Sequence, residues 1–291
     1  MNIHTFLEKA KRLSGKGYLI YIVGVSVLCI MLSQFSAKSH FRAWVHKILN
    51  KETINKAVEY EANEEVDYGQ FLTFYRYSSF DACNPDEVDV NAPMIALTFD
   101  DGPSEKATER ILQVLRDNYS HATFFVVGKQ SDKYPELIQA IASSGCEIGN
   151  HTYDHKNLTD LNVEEIGQQI DDVSRSVKSA CGSDPTVIRP PYGAYDDEVM
   201  SLLDKPVILW DLDTEDWSSR NAQTICDKVM AEVKDGDIVL MHDIYESTAE
   251  AVELLIPKLK QKGYRVVSVS ELAKYKGKQL ELGTAYGKIK Q

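Results

Sequence analysis

Two adjacent carboxylates, Asp100 and Asp101, lie in the stretch TFDDGP, between a β-rich apolar run and a Gly-Pro turn. Like charges side by side repel, so the pair needs a reason. A helix cap, with an Asp or Ser accepting the first free amides of the next helix, is the ordinary structural one. A second stretch, GNHTYDH, places His151 and His155 four residues apart, close enough for both imidazoles to meet one ion if the segment turns helically. Two imidazoles and an Asp supply three ligands and leave positions open, which is the arrangement of a catalytic zinc rather than a structural one. Asp154 shares that loop, and its place one residue before His155 directs it outward. Further rigid or ionisable groups follow in RPPYG (189–193), DLDTEDW (211–217) and LMHD (240–243). Core packing explains any one of these stretches, but not five in order.

Such residues need a scaffold that gathers them. MIALTF (94–99), ATFFVV (122–127), CEIG (146–149), TVIR (186–189), PVILW (206–210), DIVLM (237–241) and YRVVSV (264–269) are short β-rich runs. Helical patterns separate them, as where Val163, Ile166, Ile170, Val173 and Val177 recur at intervals of three and four. Alternating strands and helices mean parallel strands with crossovers, in an open doubly wound sheet or a barrel. The glycine-rich fingerprint of a dinucleotide site is missing, which puts the barrel ahead. In a barrel, chemistry gathers at the C-terminal ends of the strands, where all five stretches fall.

The chain has 291 residues and a formal net charge of −12, which argues against a nucleic-acid partner. Lys9, Lys11, Arg12 and Lys16 nevertheless make its first 17 residues basic, and no charge occurs between Lys16 and Lys38. That uncharged stretch suits a membrane span of about 20 residues. A cleaved secretory signal is the rival, but the best cleavage site, before Lys38, has Phe35 where a small residue belongs. The positive-inside rule keeps the basic tip in the cytoplasm and exports the rest. The expected organisation is a cytoplasmic tip (1–17), a single-pass anchor (18–37), a stalk (38–90), an extracytoplasmic α/β domain (91–275) and a frayed tail (276–291). Residues 68–80 carry six aromatics, which suit an edge strand on that domain better than a carbohydrate-binding wall. Cys83, Cys146, Cys181 and Cys226 show no C-x-x-C spacing, so a thiolate metal site is not expected; up to two disulfides and free thiols both stay open. Nothing in the composition bears on oligomeric state.

TFDDGP, HTYDH, RPPYG, DTEDW and IVLMHD together resemble the five ordered motifs of the polysaccharide deacetylases, the NodB-homology or carbohydrate esterase family 4 enzymes, over about residues 93–275. The resemblance implies a distorted (β/α)7 barrel and metal-dependent removal of acetyl groups from N-acetylglucosamine polymers, or from xylan in some members. It implies that Asp101, His151 and His155 bind a divalent metal, commonly Zn2+ with Co2+ or another ion possible, and that Asp100 is the general base. It further implies that His242 is the acid, oriented by Asp216, and that Arg189 tunes Asp100 and pairs with Asp213. The Tyr192 amide would hold the oxyanion between Pro191 and Gly193, and Trp217 and Leu240 would line the substrate site. For an anchored exported enzyme the expected substrate is the N-acetylated glycan of peptidoglycan. Chitin-like oligomers, xylan and a non-catalytic glycan-binding role are the alternatives. On these assignments Asp100→Asn keeps metal affinity but loses most turnover, whereas His151→Ala loses metal, and isotherms showing the reverse would break them.

Overall fold

The computed structural model describes residues 89–290. The expected anchor, the stalk with its aromatic run, and Cys29 and Cys83 lie outside the described residues. Among those residues no helix is long and apolar enough to cross a membrane.

All seven expected runs form strands: β1 (Met94–Asp100), β2 (Thr123–Val126), β3 (Glu147–Asn150), β4 (Val187–Ile188), β5 (Val207–Ile208), β7 (Ile238–His242) and β8 (Arg265–Val267). Two short strands add to them, β6 (Leu212–Asp213) and β9 (Ala285–Tyr286). Every ladder between them is parallel, in the order β6-β7-β1-β2-β3-β4-β5-β9, with β8 on β1. The strand expected at 206–210 forms as β5 and pairs with β4. Four residues on, beyond the expected strand, β6 pairs with β7, and Asp211 N–H donates to Ile238 O between them. One bent segment thus links the two ends of a parallel half-barrel, and β6 is a strand that the DLDTEDW stretch did not announce.

The central strand β1 shows how sequence alternation sorts the core. Ile95, Leu97 and Phe99 face the helices, packing with α1 (Ala107–Asp117) and α8 (Glu246–Gln261). Met94 and Ala96 face the other side, with Phe125, Ile208, Ile238 and Val267. Side chains two apart share a face, so Thr98 and Asp100 point into the barrel interior with Met94 and Ala96. The ladders also fix who meets whom at the top: Asp100 is opposite Phe125 on one side and His242 on the other.

The remaining helices, in chain order, are α2 (Gly128–Lys133), α3 (Pro135–Ser143), α4 (Val163–Cys181), α5 (Asp197–Leu202), α6 (Asp216–Ser219), α7 (Ala222–Glu232) and α9 (Val269–Tyr275). The longest, α4, begins with a reciprocal cap in which the Asn162 side chain accepts from Glu165 N–H and the Glu165 carboxylate accepts from Asn162 N–H. It ends at Gly182, in the left-handed conformation that glycine adopts without penalty. Ile166, Ile170, Val173 and Val177 are buried as the periodicity predicts. Val163 is 52% exposed, because it occupies the first turn before the helix reaches the sheet. Cys146, Cys181 and Cys226 are free thiols, so none of these three uses the disulfide option.

The frayed end expected for 276–291 is not what forms. Residues of β9 pair with β5, Lys288 bridges Asp237, and Ile289 N–H donates to Gly236 O at 2.8 Å. Lys288 also meets the carboxylates of Asp211 and Asp237, and Ile289 is buried. Leu280, Tyr286 and Ile289, packed on the core, and one lysine facing two acids outweigh the Lys- and Gly-rich composition that suggested fraying. Ile289→Ala should therefore destabilise the domain by about 2–4 kcal/mol in denaturant unfolding; an unchanged midpoint would return this segment to a loose tail.

Candidate active site

Arg189 is fully buried below the site, one residue past β4. Its Nη1 donates to Asp100 Oδ1 at 2.7 Å and to Thr98 Oγ1 at 2.8 Å, its Nε to Ile208 O at 3.0 Å and its Nη2 to Leu209 O at 2.8 Å. The guanidinium also lies 4.1 Å above the Phe125 ring. A buried charge is tolerable only when paired and hydrogen-bonded in this way. The expected partnership of Arg189 with Asp100 is present. The one with Asp213 is not: Asp213 Oδ1 instead accepts from Glu215 N–H at 2.8 Å, because the chain turns sharply there and the nearest free amide takes the carboxylate.

The metal-ligand candidates converge. His151 Nε2 lies 3.5 Å and His155 Nε2 3.2 Å from Asp101 Oδ1, and ligand atoms of the three residues all lie within 4.8 Å of one another. His151 Nδ1 is 2.7 Å from Arg189 O. A carbonyl can only accept, so Nδ1 carries the hydrogen and Nε2 turns a lone pair toward the carboxylates. Asp101 Oδ1 is buried and accepts no well-aligned hydrogen bond. Oxygen and nitrogen lone pairs facing one another across about 3.5 Å call for a cation between them, so the residues present fit a divalent metal. Burial works against charge on Asp101, but the adjacent His151 and His155 imidazoles hold it below the usual carboxylate range. Burial and the neighbouring His151 hold His155 below the ordinary imidazole value, which favours the neutral form a ligand needs. For His151, burial pushes down, yet the Asp100 and Asp101 charges prevail and raise it.

A helical turn, as expected for 151–155, is not what brings the imidazoles together. Thr152 and His155 instead adopt left-handed backbone, with φ of 63° and 60°. The fold of this loop is imposed from below: Asn150 Oδ1 accepts from Thr152 N–H, and Gln169 Oε1 on α4 accepts from both Tyr153 and Asp154 N–H. Asp154 turns away from the cluster toward Lys129 and Lys156, as its position suggested. Asp101 and Tyr192 are left-handed too, at 73° and 61°. Non-glycine residues in that region cost about 1–3 kcal/mol each and gather where function requires a fixed geometry.

Opposite the cluster, Asp216 is fully buried at the start of α6 and accepts four hydrogen bonds. Oδ1 takes His242 Nδ1 at 2.8 Å and Trp217 N–H at 2.9 Å; Oδ2 takes His242 N–H at 2.8 Å and Thr248 Oγ1 at 2.6 Å. Burial pushes the His242 pKa down, but Asp216, then Asp100 and Asp101, raise it to about 9. Trp217 and Tyr192 are both exposed on the rim, with the Tyr192 ring edge-on to His155 at 4.9 Å, and Pro191 and Gly193 complete that turn. Leu240 lies in β7 and is buried, its carbonyl held by Thr214 Oγ1.

Several supporting residues were not singled out from the sequence. Asp243, the last residue of LMHD, is buried beneath the TFDDGP turn. Its Oδ2 takes Thr108 Oγ1 at 2.5 Å, its carbonyl takes Ser104 Oγ at 2.5 Å, and its N–H reaches Asp100 O at 3.3 Å. Gly102 is required there, because a Cβ would fall 2.2 Å from the Asp243 carboxylate. Burial pushes the Asp243 pKa up to about 7. Gln169 and Thr248 carry no motif-like signal at all, since each acts from a helix outside the five stretches.

A carboxylate and two imidazoles fit for a cation, flanked by a second carboxylate and a raised-pKa histidine at the strand ends of a parallel α/β sheet, define a candidate metal centre of the hydrolase type. The polysaccharide deacetylase family model matches residues 87–205. The peptidoglycan-N-acetylmuramic acid deacetylase PdaC of Bacillus subtilis is 45% identical over 189 residues, covering 65% of this chain and 40% of that protein. Its solved structure superposes with a TM-score of 0.64 over 65% of this chain and 94% of the solved one. The peptidoglycan-N-acetylglucosamine deacetylase PgdA of Listeria monocytogenes is 41% identical over 192 residues, covering 66% of this chain and 41% of that protein. A family 4 acetyl xylan esterase from Clostridium thermocellum, solved with a cobalt ion, is 32% identical with a TM-score of 0.64 over 67% of this chain and 98% of that one. This chain belongs to the polysaccharide deacetylase family. It spans about 40% of the length of PdaC and PgdA.

The His242–Asp216 pair gives a pH test. The imidazolium persists below the raised pKa of about 9 and is lost above it, so whatever the charged pair adds to stability is whole below the ordinary histidine pKa and fades as pH climbs through about 9. Asp216→Asn should drop the His242 midpoint by at least about one unit toward its ordinary value of about 6.5, read by NMR titration of the ring. A midpoint left near 9 would deny Asp216 that role.

Proposed function

We propose that this chain hydrolyses N-acetyl groups on the glycan of peptidoglycan, releasing acetate and leaving a free amine, with N-acetylglucosamine as the sugar. The observation that carries the reading is the register of Asp100 opposite His242, which sets a base and an acid on neighbouring strands beside the Asp101–His151–His155 cluster. The polymer is supported by the names of PdaC and PgdA, which agree on peptidoglycan. They differ on the sugar, and PdaC favours N-acetylmuramic acid as a second reading.

Asp101, His151 and His155 would hold the divalent ion. When bound, it supplies Lewis-acid polarisation of the acetyl carbonyl and favours deprotonation of water. Asp100, one oxygen fixed by Arg189 and the other 3.6 Å from His151 Nε2, accepts the proton of the attacking water. The hydroxide oxygen bonds to the acetyl carbon. The Tyr192 N–H, presented by a strained left-handed turn, donates to the developing oxyanion. His242 gives its proton to the sugar nitrogen as the carbon–nitrogen bond breaks, because an amide anion is a very poor leaving group. Asp216 keeps that proton available near neutral pH, and the exposed Trp217 offers an apolar wall for the acetyl methyl.

We further infer that residues 18–37 anchor the chain in the membrane with its N-terminus in the cytoplasm, placing residues 91–275 outside against the wall polymer. The uncharged stretch between Lys16 and Lys38, flanked by the basic tip, supports that placement.

Residues 68–291, reconstituted with zinc, should release acetate from peptidoglycan, and Asp100→Asn should lose at least about 100-fold of that rate. Acetate release undiminished by the substitution would overturn the base assignment. Release from acetylxylan alone would overturn the substrate.

A further inference from the structure

Arg220 stands on the rim of this site and takes no part in the steps above. It closes α6 in left-handed conformation, at φ 46°. Its Nε–H donates to Trp217 O at 2.8 Å, and its guanidinium carbon lies 3.3 Å from the centroid of the Tyr245 ring. That ring is 6.0 Å from the ring of His242. Backbone, carbonyl and aromatic face together fix a side chain that would otherwise carry about 2 kcal/mol of rotamer freedom.

The partner that such an arginine ordinarily has is missing. Arg110 is met by Glu250 and Glu253, and Arg175 by Asp172. No carboxylate among the described residues lies within ion-pair distance of Arg220, in a chain with 44 acidic side chains against 32 basic. The Trp217 carbonyl takes Nε and leaves the two terminal nitrogens, whose parallel N–H groups match a carboxylate. The fork is already ordered, so binding a planar anion there costs little further ordering.

We propose that Arg220 is a specificity-determining residue that binds a carboxylate carried by the glycan strand beside the sugar being deacetylated. The inference rests on the deacetylase reading above and adds the substrate class, an anionic rather than a neutral glycan. Two sources on a peptidoglycan strand share that chemistry: the lactyl ether of a muramic acid freed of its peptide, and the acidic residues of the stem peptide. A role confined to closing α6 by stacking on Tyr245 would leave neutral and anionic glycans equally affected by substitution.

The test compares the full chain with Arg220→Gln, which keeps a planar donor without the charge, and Arg220→Lys, which keeps the charge without the fork. Substrates are neutral N-acetylglucosamine oligomers, strands stripped of stem peptides, and strands bearing them. Acetate release is measured on all three, and affinity is measured separately by calorimetry in an Asp100→Asn background. Arg220→Gln should lower the anionic-over-neutral ratio of kcat/KM by about tenfold, chiefly through KM, and Arg220→Lys should restore part of it. The wild-type preference should shrink as ionic strength rises from about 0.05 to about 0.5 M, and the Gln variant should not respond. Loss on stripped strands assigns the lactyl group, and loss confined to peptide-bearing strands assigns the peptide. Equal losses on neutral and anionic glycans, or no anionic preference in the wild type, would overturn the proposal. Absence of acetate from every substrate would sink the deacetylase reading alone, because the affinity ratios still decide whether Arg220 reads the charge.

Discussion

Everything at the site rests on the buried Arg189. Its guanidinium ties β1, through Thr98 and Asp100, to the carbonyls of Ile208 and Leu209 on the far side of the barrel, while its own carbonyl fixes the tautomer of His151. One residue therefore sets the distance across the barrel, the aim of the Asp100 carboxylate and the tautomer of the His151 imidazole. Removing one partner from a buried pair of this kind leaves a charge uncompensated, at about 3–5 kcal/mol. The interior is polar at its centre because four hydrogen bonds and the Phe125 face meet that guanidinium, so hydrophobic packing can surround the charge.

The opposite half of the site follows a similar rule with the sign reversed. Asp216 is a buried anion saturated by four donors, two of them from His242. A cation buried under Asp100 and an anion buried under His242 give the two groups distinct electrostatic surroundings although their strands are adjacent. Separate environments for paired titratable groups are how one site performs proton abstraction and proton donation at the same pH.

Much of this was legible in the sequence, and the divisions are physical. The seven strands could be read because β-rich apolar runs fall at regular intervals between helical patterns, and the gathering of Asp101, His151 and His155 because Asp and His at strand ends have few structural uses in that order. What could not be read is geometry set by residues far away in the chain. Nothing in HTYDH announces that Gln169 will hold its backbone. The miss at Asp213 is local instead: a tight turn gives its carboxylate to Glu215 N–H, two residues on. Composition misled at 276–290, since three apolar side chains and one lysine outweighed the Lys- and Gly-rich remainder. The strand at 206–210 was legible, but the short strand at 212–213 inside DLDTEDW was not, because it forms only where the chain bends onto β7.

Thr152 carries a consequence of another order. It is β-branched, wholly buried, left-handed, and its hydroxyl finds no partner, so three separate penalties fall on one residue between Asn150 and the second imidazole. A chain selected only for endurance in heat would relax that position early, for glycine relieves the strain and removes the orphaned hydroxyl. The same exchange would loosen the hinge on which His155 is carried. Selection for robustness and selection for turnover therefore pull this loop in opposite directions, and the threonine records which of the two has prevailed.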